Sequence, residues 1–377
     1  MNSKNPLKEI ASLFLKLGII GFGGPAAHIA MMRDEIVTRR KWMSDDHFLD
    51  LVGATNLIPG PNSTEMAIHL GHEKGKWKGL IIAGLCFILP AVFITLFLAW
   101  LYKQYGQLPE IQPFIYGIKP AIIAIILSAV FPLAKKSLKT IELGIIGLIA
   151  LVLSFLNFSE IFILFGSGFL ALSLTYFRSK KNNLKTNAFS PFMLLPISTT
   201  AFVWVSNLNL FLLFLKIGAI LYGSGYVLFA FLDTELVSTG IISRRVLIDS
   251  ISIGQFTPGP VFSSVTFIGY QINSWTGALV STIGIFLPSF LFVALLNPLV
   301  RKMRVSSLFS TFLDAVNVAS IALIMVVCYK MGKDSIMDWR TVFIAIVSLI
   351  VTFSFQKINS TFIVVGSSLL GYLLFLL

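Results

Sequence analysis

The chain carries Asn56-Leu57-Ile58-Pro59-Gly60-Pro61-Asn62-Ser63 within an apolar segment, and Gln255-Phe256-Thr257-Pro258-Gly259-Pro260-Val261-Phe262 within a second one. Proline removes a backbone donor and glycine tolerates non-helical angles, so each stretch predicts the end of one helix and the start of another. In lipid, the backbone groups freed by such a break are tolerated only where protein or a water-filled cavity surrounds them. Broken helices at membrane depth mark binding sites in transporters, so the two stretches predict the position of a site.

Composition indicates an integral membrane protein. Of the 377 residues, 56% are hydrophobic and only 12% are charged, which is more apolar than a soluble core requires. The formal net charge of +12 arises mostly from Lys and Arg in short loops between apolar segments, where such residues orient a membrane chain. This distribution argues against nucleic acid as a partner. Because Lys16 and a glycine-rich break interrupt the apolar N-terminal stretch, we expect it to be retained rather than cleaved as a signal peptide.

Apolar runs of about 17 to 25 residues predict thirteen membrane crossings, arranged as six, one and six. The expected fold class is therefore an all-α integral membrane protein with broken helices between its halves. The predicted domains are an N-terminal repeat (1–177), a linker with a central crossing (178–206) and a C-terminal repeat (207–377). The crossings are 10–32, 48–71, 79–102, 111–134, 141–157 and 160–177, the central 191–206, and then 208–232, 248–272, 277–300, 308–330, 340–356 and 359–377.

The two halves are a duplicated module, because specific residues recur in the same order. The matched pairs are Lys16 with Lys216, Gly23 with Gly223, Glu35 with Glu235, Asn56 with Gln255, Gly60 with Gly259, Gly71 with Gly269, Trp77 with Trp275, Gly79 with Gly277, Pro90 with Pro288 and Lys119 with Asn317. Six crossings followed by one odd crossing make the second half enter the membrane from the opposite face. The sequence therefore predicts an inverted repeat.

Basic residues predict the orientation. Counting loops between the thirteen crossings places eighteen Lys and Arg inside and eight outside, which favours an inside N-terminus and an outside C-terminus. The outer set includes Arg33, Arg39, Arg40 and Lys41, whereas Arg244 and Arg245 belong to the inner set. If the Pro-Gly-Pro segments are re-entrant hairpins, the inversion survives but these sides change.

Backbone breaks supply the first candidate anion ligands. The amides of Gly23 and Gly24, and of Gly223 and Gly225 in the other half, can face an anion without a Cβ in the way. After each Pro-Gly-Pro a half-helix should begin, with the positive end of its dipole at the break. The candidate binding residues there are Asn56, Pro59, Gly60, Pro61, Asn62, Ser63, Gln255, Pro258, Gly259, Pro260 and Ser263. The alternatives are close helix packing and a proline kink that only shapes the bundle; duplication favours the site.

Charged residues within apolar segments supply further candidates. Lys16 and Lys216 lie shortly before the glycine breaks, where a charge is costly enough to suggest function, and two inverted halves would bring them into one cationic pocket. The alternative is that each lysine snorkels to an interface. Lys119 is a third candidate charge with the same alternative. Glu65 and His69 share a helix face and form either a structural hydrogen bond or a protonatable pair that couples transport to protons.

The sequence lacks the motifs of several enzyme classes. It has no nucleophile beside a base in a loop motif, no P-loop and no His or Cys cluster with metal spacing. We therefore expect neither an enzyme nor a bound cofactor or metal.

At its breaks the sequence resembles the chromate ion transporter family in its long two-domain form. The motifs that carry the resemblance are Phe22-Gly23-Gly24-Pro25-Ala26-Ala27-His28, Arg39-Arg40-Lys41-Trp42, Ile58 to Ala67 and Gly254 to Val261. The resemblance covers nearly the whole chain and implies thirteen crossings, oppositely oriented halves and export of chromate from the cytoplasm. Tyr222-Gly223-Ser224-Gly225 departs from the phenylalanine and glycine run usual in that family.

These observations predict a secondary transporter in the plasma membrane that exports chromate, or a similar small oxyanion, by alternating access. The alternatives are a transporter of sulfate or another tetrahedral oxyanion and, in another class, a membrane enzyme acting on a phosphorylated lipid. The expected partners are the lipid bilayer and the oxyanion. The sequence leaves open whether the chain forms a homodimer.

Overall fold

A computed structural model describes residues 5–106, 108–181, 206–223, 225–355 and 358–376. These residues form helices and short connections, with no β-strand among them, in agreement with the predicted all-α class. The helices are α1 (Pro6–Ile20), α2 (Gly24–Arg33), α3 (Asp45–Thr55), α4 (Asn62–Tyr105), α5 (Gln112–Ser137), α6 (Ile141–Phe155), α7 (Glu160–Lys181), α8 (Asn207–Ile220), α9 (Val227–Leu232), α10 (Arg244–Phe256), α11 (Ser264–Val305), α12 (Ser307–Ser335), α13 (Trp339–Ser354) and α14 (Ser360–Phe375). Two π-helical segments, Asp34–Arg39 and Asp233–Val237, follow α2 and α9.

Side-chain caps fix where several helices begin. Ser44 accepts a hydrogen bond from the amide of His47 at the start of α3, and Ser243 accepts one from Val246 at the start of α10. Such caps satisfy amides that have no partner within the helix. A serine N-cap therefore begins the corresponding helices α3 and α10 of the two halves.

The long helices α4 and α11 each fold back on themselves. Lys76 in α4 has φ 51° and ψ −142°, and its counterpart Ser274 in α11 has φ 52° and ψ −141°. A Cβ on Gly79 would overlap the carbonyl oxygen of Gly71, so the two arms of α4 are in backbone contact; Gly277 and Gly269 are related in the same way. Each long helix is therefore a short arm and a long arm joined by a sharp turn.

In the first half, three chain positions meet at one end of the bundle, here called the α1 end. Glu9 near the start of α1 pairs with Arg40, which follows the first π-helical segment, at 3.3 Å. Glu9 also pairs with Lys74, just before the turn of α4, at 3.9 Å, and accepts a hydrogen bond from Trp42. The segments between these positions therefore leave the α1 end and return to it, so α1–α2 and α3–α4 form two hairpins.

The second half has its hairpin openings at the other end of the bundle, the α8 end. Asn207 at the start of α8 accepts a hydrogen bond from Asn273 beside the turn of α11, at 3.1 Å. Ser274 in that turn accepts one from Lys103, near the end of α4's long arm, at 3.3 Å. Since that arm starts at the α1 end, the two pairs of hairpins enter the bundle from opposite ends.

Helices α5 and α12, which correspond to each other in the repeat, each pack mainly on helices of the other half. Helix α5 packs mainly on α13 and α14, and its counterpart α12 packs mainly on α6 and α7. Lys139, just after α5, pairs with Asp314 near the start of α12 at 2.7 Å, and Tyr116 near the start of α5 donates to Asp338, which follows α12. Corresponding helices α5 and α12 therefore run in opposite directions.

The thirteen predicted crossings are not reproduced as thirteen helices. Five described stretches are long and apolar enough to cross a membrane, and four shorter helices are also apolar. The predicted crossings 10–32, 48–71, 208–232 and 248–272 are each interrupted, because the chain breaks at Gly or Pro and turns back. Residues 191–205 of the predicted central crossing lie outside the described residues.

Candidate functional site

The tips of the four hairpins meet between the halves. The amide of Gly60 donates to the carbonyl oxygen of Leu221 at 2.8 Å, and the amide of Gly259 donates to the carbonyl oxygen of Gly21 at 2.6 Å. Each Pro-Gly-Pro break is thus bonded to the glycine break of the other half. The two glycines have φ of 132° and 92°, a conformation that residues with a Cβ rarely adopt. The breaks predicted from sequence therefore form one shared centre.

The helix starts beyond these breaks are close to prediction. Helix α4 begins at Asn62 directly after Pro61, as predicted, and without a side-chain cap. In the second half a 3₁₀ turn, Val261–Ser263, precedes the start of α11 at Ser264. The flanking prolines Pro59, Pro61, Pro258 and Pro260 are buried. The first half thus presents an uncapped helix N-terminus at the centre.

A cavity of about 230 Å³ extends from this centre toward the α1 end. It lies between the Pro-Gly-Pro break of the first half, the glycine break of the second half, and helices α5 and α12. Its lining residues are Asn56, Ile58, Asn62, Leu133, Lys136, Ser137, Lys139, Gly223, Asp314, Asn317, Ser320, Ile321 and Ile324. The wall thus combines apolar side chains with neutral polar groups beside the two breaks, and its charged residues lie toward the α1 end, at the mouth.

Hydrogen bonds hold the polar wall of the cavity beside the two breaks. The Asn62 amide nitrogen donates to the Asn56 side-chain oxygen at 2.7 Å. Ser320 donates to the carbonyl oxygen of Tyr222 at 3.1 Å. A Cβ on Gly223 would lie 2.9 Å from Ser320 Oγ and 3.3 Å from Asn317 Oδ1, so only glycine allows this approach. Amide and hydroxyl groups at fixed positions can donate hydrogen bonds to an oxyanion.

Lys136 and Lys139 differ in their availability to a ligand. Lys139 is paired with Asp314, whose carboxylate neutralises it. Lys136 lies one turn earlier on α5, lines the same cavity and is exposed. A cation at the mouth attracts anions from solution.

The corresponding region toward the α8 end is closed. Lys119, the counterpart of Asn317, has its Nζ 3.8 Å from Asp249 Oδ1, and Tyr102 donates to Asp249 Oδ2 at 2.6 Å. Helix α10 also packs on α5 and α14, whereas in the described part of the chain its counterpart α3 makes no comparable contact with α12 or α7. The cavity therefore lies toward the α1 end, whereas in the described part of the chain these contacts fill the equivalent region toward the α8 end.

Other predicted site residues lie at or near the breaks without lining the cavity. Gln255 and Ser63 are buried, and Ser263 accepts a hydrogen bond from Thr95 at 3.3 Å. Gly23 and Gly24 have φ of 101° and 77°, so the predicted unwinding of the first glycine break is present. Gly225 is partly buried, and Ser224 lies outside the described residues.

The structure does not bring Lys16 and Lys216 into the cavity. Lys16 pairs with Glu35 at 2.7 Å, and Lys216 pairs with Glu235 at 2.5 Å. Both lysine side chains are nearly half exposed, and each partner lies in the π-helical segment of the same half. The sequence analysis did not foresee these pairs, although each glutamate was recognised as part of the repeat. A substrate role for the two lysines stays a prediction.

Glu65 and His69 are buried in the short arm of α4. Among the described residues, neither ring nitrogen of His69 has a hydrogen-bond partner, and the Glu65 carboxyl group faces the Ser289 hydroxyl. A Cβ on Gly60 would overlap Glu65 Oε1 and lie 2.8 Å from Ser289 Oγ, which places the carboxyl group directly beside the centre. A hydrogen bond between Glu65 and His69, one of the sequence-based interpretations, is absent among these atoms.

Sequence reasoning did not assign several of the polar and charged cavity residues to a site. Asn317 was noticed only as the counterpart of Lys119, Lys136 was counted only for orientation, and Ser320 was not singled out. The available signal was the repeat itself, because Asn317 occupies the position at which the other half carries an intramembrane charge.

The fold and the site define a polytopic membrane transport protein, with broken helices meeting at a one-sided polar cavity. The sequence profile described as "Chromate transporter" matches the chain twice, at residues 8–172 and 208–372. The chain belongs to the chromate transporter family. Proteins of this family are transporters, so the chain is a transporter rather than an enzyme.

Two relatives illustrate the similarity. The "Chromate transport protein" of Cupriavidus metallidurans is 30% identical over 97% of this chain and 92% of its own length. The "Chromate transport protein" of Pseudomonas aeruginosa is 26% identical over 97% of this chain and 92% of its own length. No solved structure matches the chain.

Proposed function

We propose that this protein exports chromate, or a closely related small oxyanion, from the cytoplasm by alternating access between two inverted halves. The observation that carries the proposal is the crosswise bonding of Gly60 to Leu221 and of Gly259 to Gly21 beside a cavity open on one side. Broken helices that meet at a repeat interface are the usual substrate site of secondary transporters. The relatives named for chromate transport support the choice of substrate.

The topology we propose revises the crossings predicted from hydropathy. Helices α1–α2 and α3 with the short arm of α4 are re-entrant hairpins from the cytoplasmic face, and α8–α9 and α10 with the short arm of α11 are re-entrant from the outside. The long arms of α4 and α11 and helices α5 to α7 and α12 to α14 cross the membrane, which makes eight crossings. We keep the central crossing predicted from sequence at 191–206 as the ninth, because the second pair of hairpins enters from the opposite face. The opposite directions of α5 and α12 support the inversion. We keep the domain division at 1–177, 178–206 and 207–377, with the two profile matches in its support.

The revised topology strengthens the charge argument for orientation. Arg40 lies with Glu9 at the α1 end, so Arg33, Arg39, Arg40 and Lys41 move to the cytoplasmic side. Arg244 pairs with Asp334 at the end of α12, so Arg244 and Arg245 move outside. The cytoplasmic excess of Lys and Arg therefore grows, which favours a cytoplasmic N-terminus in the plasma membrane and an outside C-terminus.

The cavity would then face the cytoplasm and receive the anion there. Lys136 attracts the anion to the mouth, and Asn56, Asn62, Asn317 and Ser320, with the N-terminus of α4, line the wall beside the two breaks. Helix N-termini bind oxyanions through free amides and the helix dipole. Moving a dianion out of an inside-negative cell is favoured by roughly 4 to 5 kcal/mol per 100 mV, so export needs no nucleotide.

Glu65 and His69 are the proposed proton-coupling groups. Both are buried, and Glu65 lies directly beside Gly60, at the point where the two halves are bonded together. An ionised carboxylate without a cationic partner costs several kcal/mol in such a place, and binding a proton avoids that cost. Protonation of Glu65 would thus change the charge at the interface where the halves move against each other.

Flux measurements in proteoliposomes test the function. Vesicles containing the full chain are loaded with radiolabelled chromate, and a potassium diffusion potential is applied in either sign. We expect chromate flux that follows the potential, that is lost in Gly223→Leu, whose side chain would fill the cavity, and that persists in Gly366→Ala, since Gly366 has open space around it. Absence of chromate flux in the native protein, with sulfate flux present, would assign the alternative oxyanion.

A further inference from the structure

The strongest unexplained feature outside the cavity is the buried charge cluster toward the α8 end. Asp249 on α10 is 4% exposed and lies near Lys119 on α5, at 3.8 Å, and Arg245 on α10, at 4.0 Å, while Tyr102 on α4 donates to it. Lys119 itself is 18% exposed. The cluster joins α4 and α5 of the first half to α10 of the second half, so it closes a boundary that must open if the halves rock.

The repeat shows what this boundary becomes when it opens. Lys119 corresponds to Asn317, Gln255 to Asn56 and Gly23 to Gly223. On the open side, Asn317, Asn56 and Gly223 line the cavity together. An exchange of conformation between the halves would therefore place Lys119, Gln255 and Gly23 around an equivalent cavity toward the α8 end. That cavity would carry a lysine at the position where the present one carries an asparagine.

From this correspondence we propose that Lys119 is the anion ligand of an outward-facing half-site. In the present conformation the Asp249 carboxylate lies beside the Lys119 ammonium group, where the substrate would bind. The ligand class is a small tetrahedral oxyanion, and the inference rests on the proposed function. A carboxylate and an oxyanion both accept charge-assisted hydrogen bonds from an ammonium group, so they compete for Lys119. Arrival of the substrate at Lys119 releases Asp249, and departure of the substrate lets Asp249 close the boundary again.

A substrate ligand and a purely structural ion pair predict different effects when Lys119 or Asp249 is neutralised. If Lys119 and Asp249 only hold the halves together, neutralising either residue has the same effect on transport. If Lys119 binds substrate and Asp249 competes, the two substitutions shift affinity at the outer face in opposite directions. The two faces of the membrane must therefore be measured separately.

The test uses inside-out and right-side-out membrane vesicles containing the full chain, with radiolabelled chromate and, in parallel, sulfate. The variants are Lys119→Gln, Lys119→Arg, Asp249→Asn and the matched control Lys103→Gln, which removes a lysine of the α8 end that contacts Ser274 rather than Asp249. We expect Lys119→Gln to weaken apparent affinity at the outer face by about tenfold or more, the usual effect of losing a charged hydrogen bond. Asp249→Asn should strengthen outer-face affinity, Lys119→Arg should retain most of it, and Lys103→Gln should leave it unchanged.

Each other outcome has a defined meaning. Equal shifts in the same direction for Lys119→Gln and Asp249→Asn, or equal shifts at both faces, would overturn the outer half-site while leaving the transport function intact. Expression level and melting temperature in detergent identify a variant that fails to fold, and Lys119→Arg then carries the test. A native protein that moves neither oxyanion would overturn the proposed function, and this inference with it.

Discussion

The amide of Gly60 and the carbonyl oxygen of Leu221 are joined by a 2.8 Å hydrogen bond between the two halves of the chain. The same bond recurs at 2.6 Å between Gly259 and Gly21, which are the matching residues with the halves exchanged. Both bonds satisfy backbone groups that the helix breaks would otherwise leave unpaired in a membrane. The breaks therefore stabilise one another across the interface on which transport would depend.

Alanine at either donor glycine should destabilise the protein and stop transport. Gly60→Ala and Gly259→Ala force a Cβ onto positive φ, at a cost of about 1–2 kcal/mol. The new Cβ would also overlap Glu65 at Gly60 and lie 2.8 Å from Ala91 Cβ at Gly259. Melting temperature in detergent and chromate flux measure the effect. Gly144→Ala, which meets no neighbour within 4 Å, is the control; an equal loss in that variant would contradict the explanation.

Neutralising Lys136 should weaken chromate uptake from the cytoplasmic face. Lys136 lines the cavity mouth and is exposed, so we expect about a threefold loss of apparent affinity that shrinks at high salt. Lys135→Gln removes the neighbouring exposed charge, which does not line the cavity, and should have little effect. Equal losses in the two variants would show that general surface charge, rather than the mouth of the cavity, attracts the anion.

Lys16 and Lys216 should differ in their effect on stability. Glu35 also contacts Arg39 at 3.5 Å and Arg40 at 3.3 Å, so Lys16→Ala leaves it with basic partners. Among the described ion pairs, Glu235 has Lys216 alone. We therefore expect Lys216→Ala to lower the melting temperature more than Lys16→Ala does; the reverse order would contradict this explanation.

The same two positions test the sequence-based prediction that both lysines bind substrate and that each alanine variant abolishes flux. The double variant Lys216→Gln with Glu235→Gln removes the ion pair without leaving a lone charge. If flux is lost in Lys216→Ala but present in this double variant, Lys216 acts through its ion pair with Glu235. If flux is absent from a stably folded double variant as well, Lys216 binds the substrate.

Glu65→Gln should separate proton coupling from transport. The amide keeps the shape of the protonated carboxyl group but cannot release a proton. We expect flux driven by a pH gradient at zero potential to fall to the level without a gradient, while potential-driven flux continues. Proteoliposomes with independently set pH and potential provide the measurement. A pH response equal to that of the native protein would remove Glu65 from the coupling role.

Cysteine labelling should distinguish hairpins from crossings. In a Cys86→Ala, Cys328→Ala background, Lys41→Cys and Lys78→Cys should react with an impermeant maleimide from the same cytoplasmic side, since Arg40 and Lys74 share Glu9. The thirteen-crossing prediction places residue 41 outside and residue 78 inside. Labelling from opposite sides would therefore contradict the hairpin arrangement.

The sequence by itself determined the membrane class, the duplication, the positions of the four breaks and the family, because each depends on local composition or on residues that recur in order. Asn56, Asn62 and Gly223, three of the candidates named from sequence, line one cavity in the structure, and their binding role stays a prediction. The tertiary structure alone decided that the chain turns back at each break, that Lys16 and Lys216 face glutamates, and that Asn317, Ser320 and Lys136 share the cavity. The physical reason is that a Gly or Pro break ends a helix but does not determine the direction in which the chain continues. The new direction is set by contacts between residues distant in sequence, such as Gly60 with Leu221 and Gly259 with Gly21.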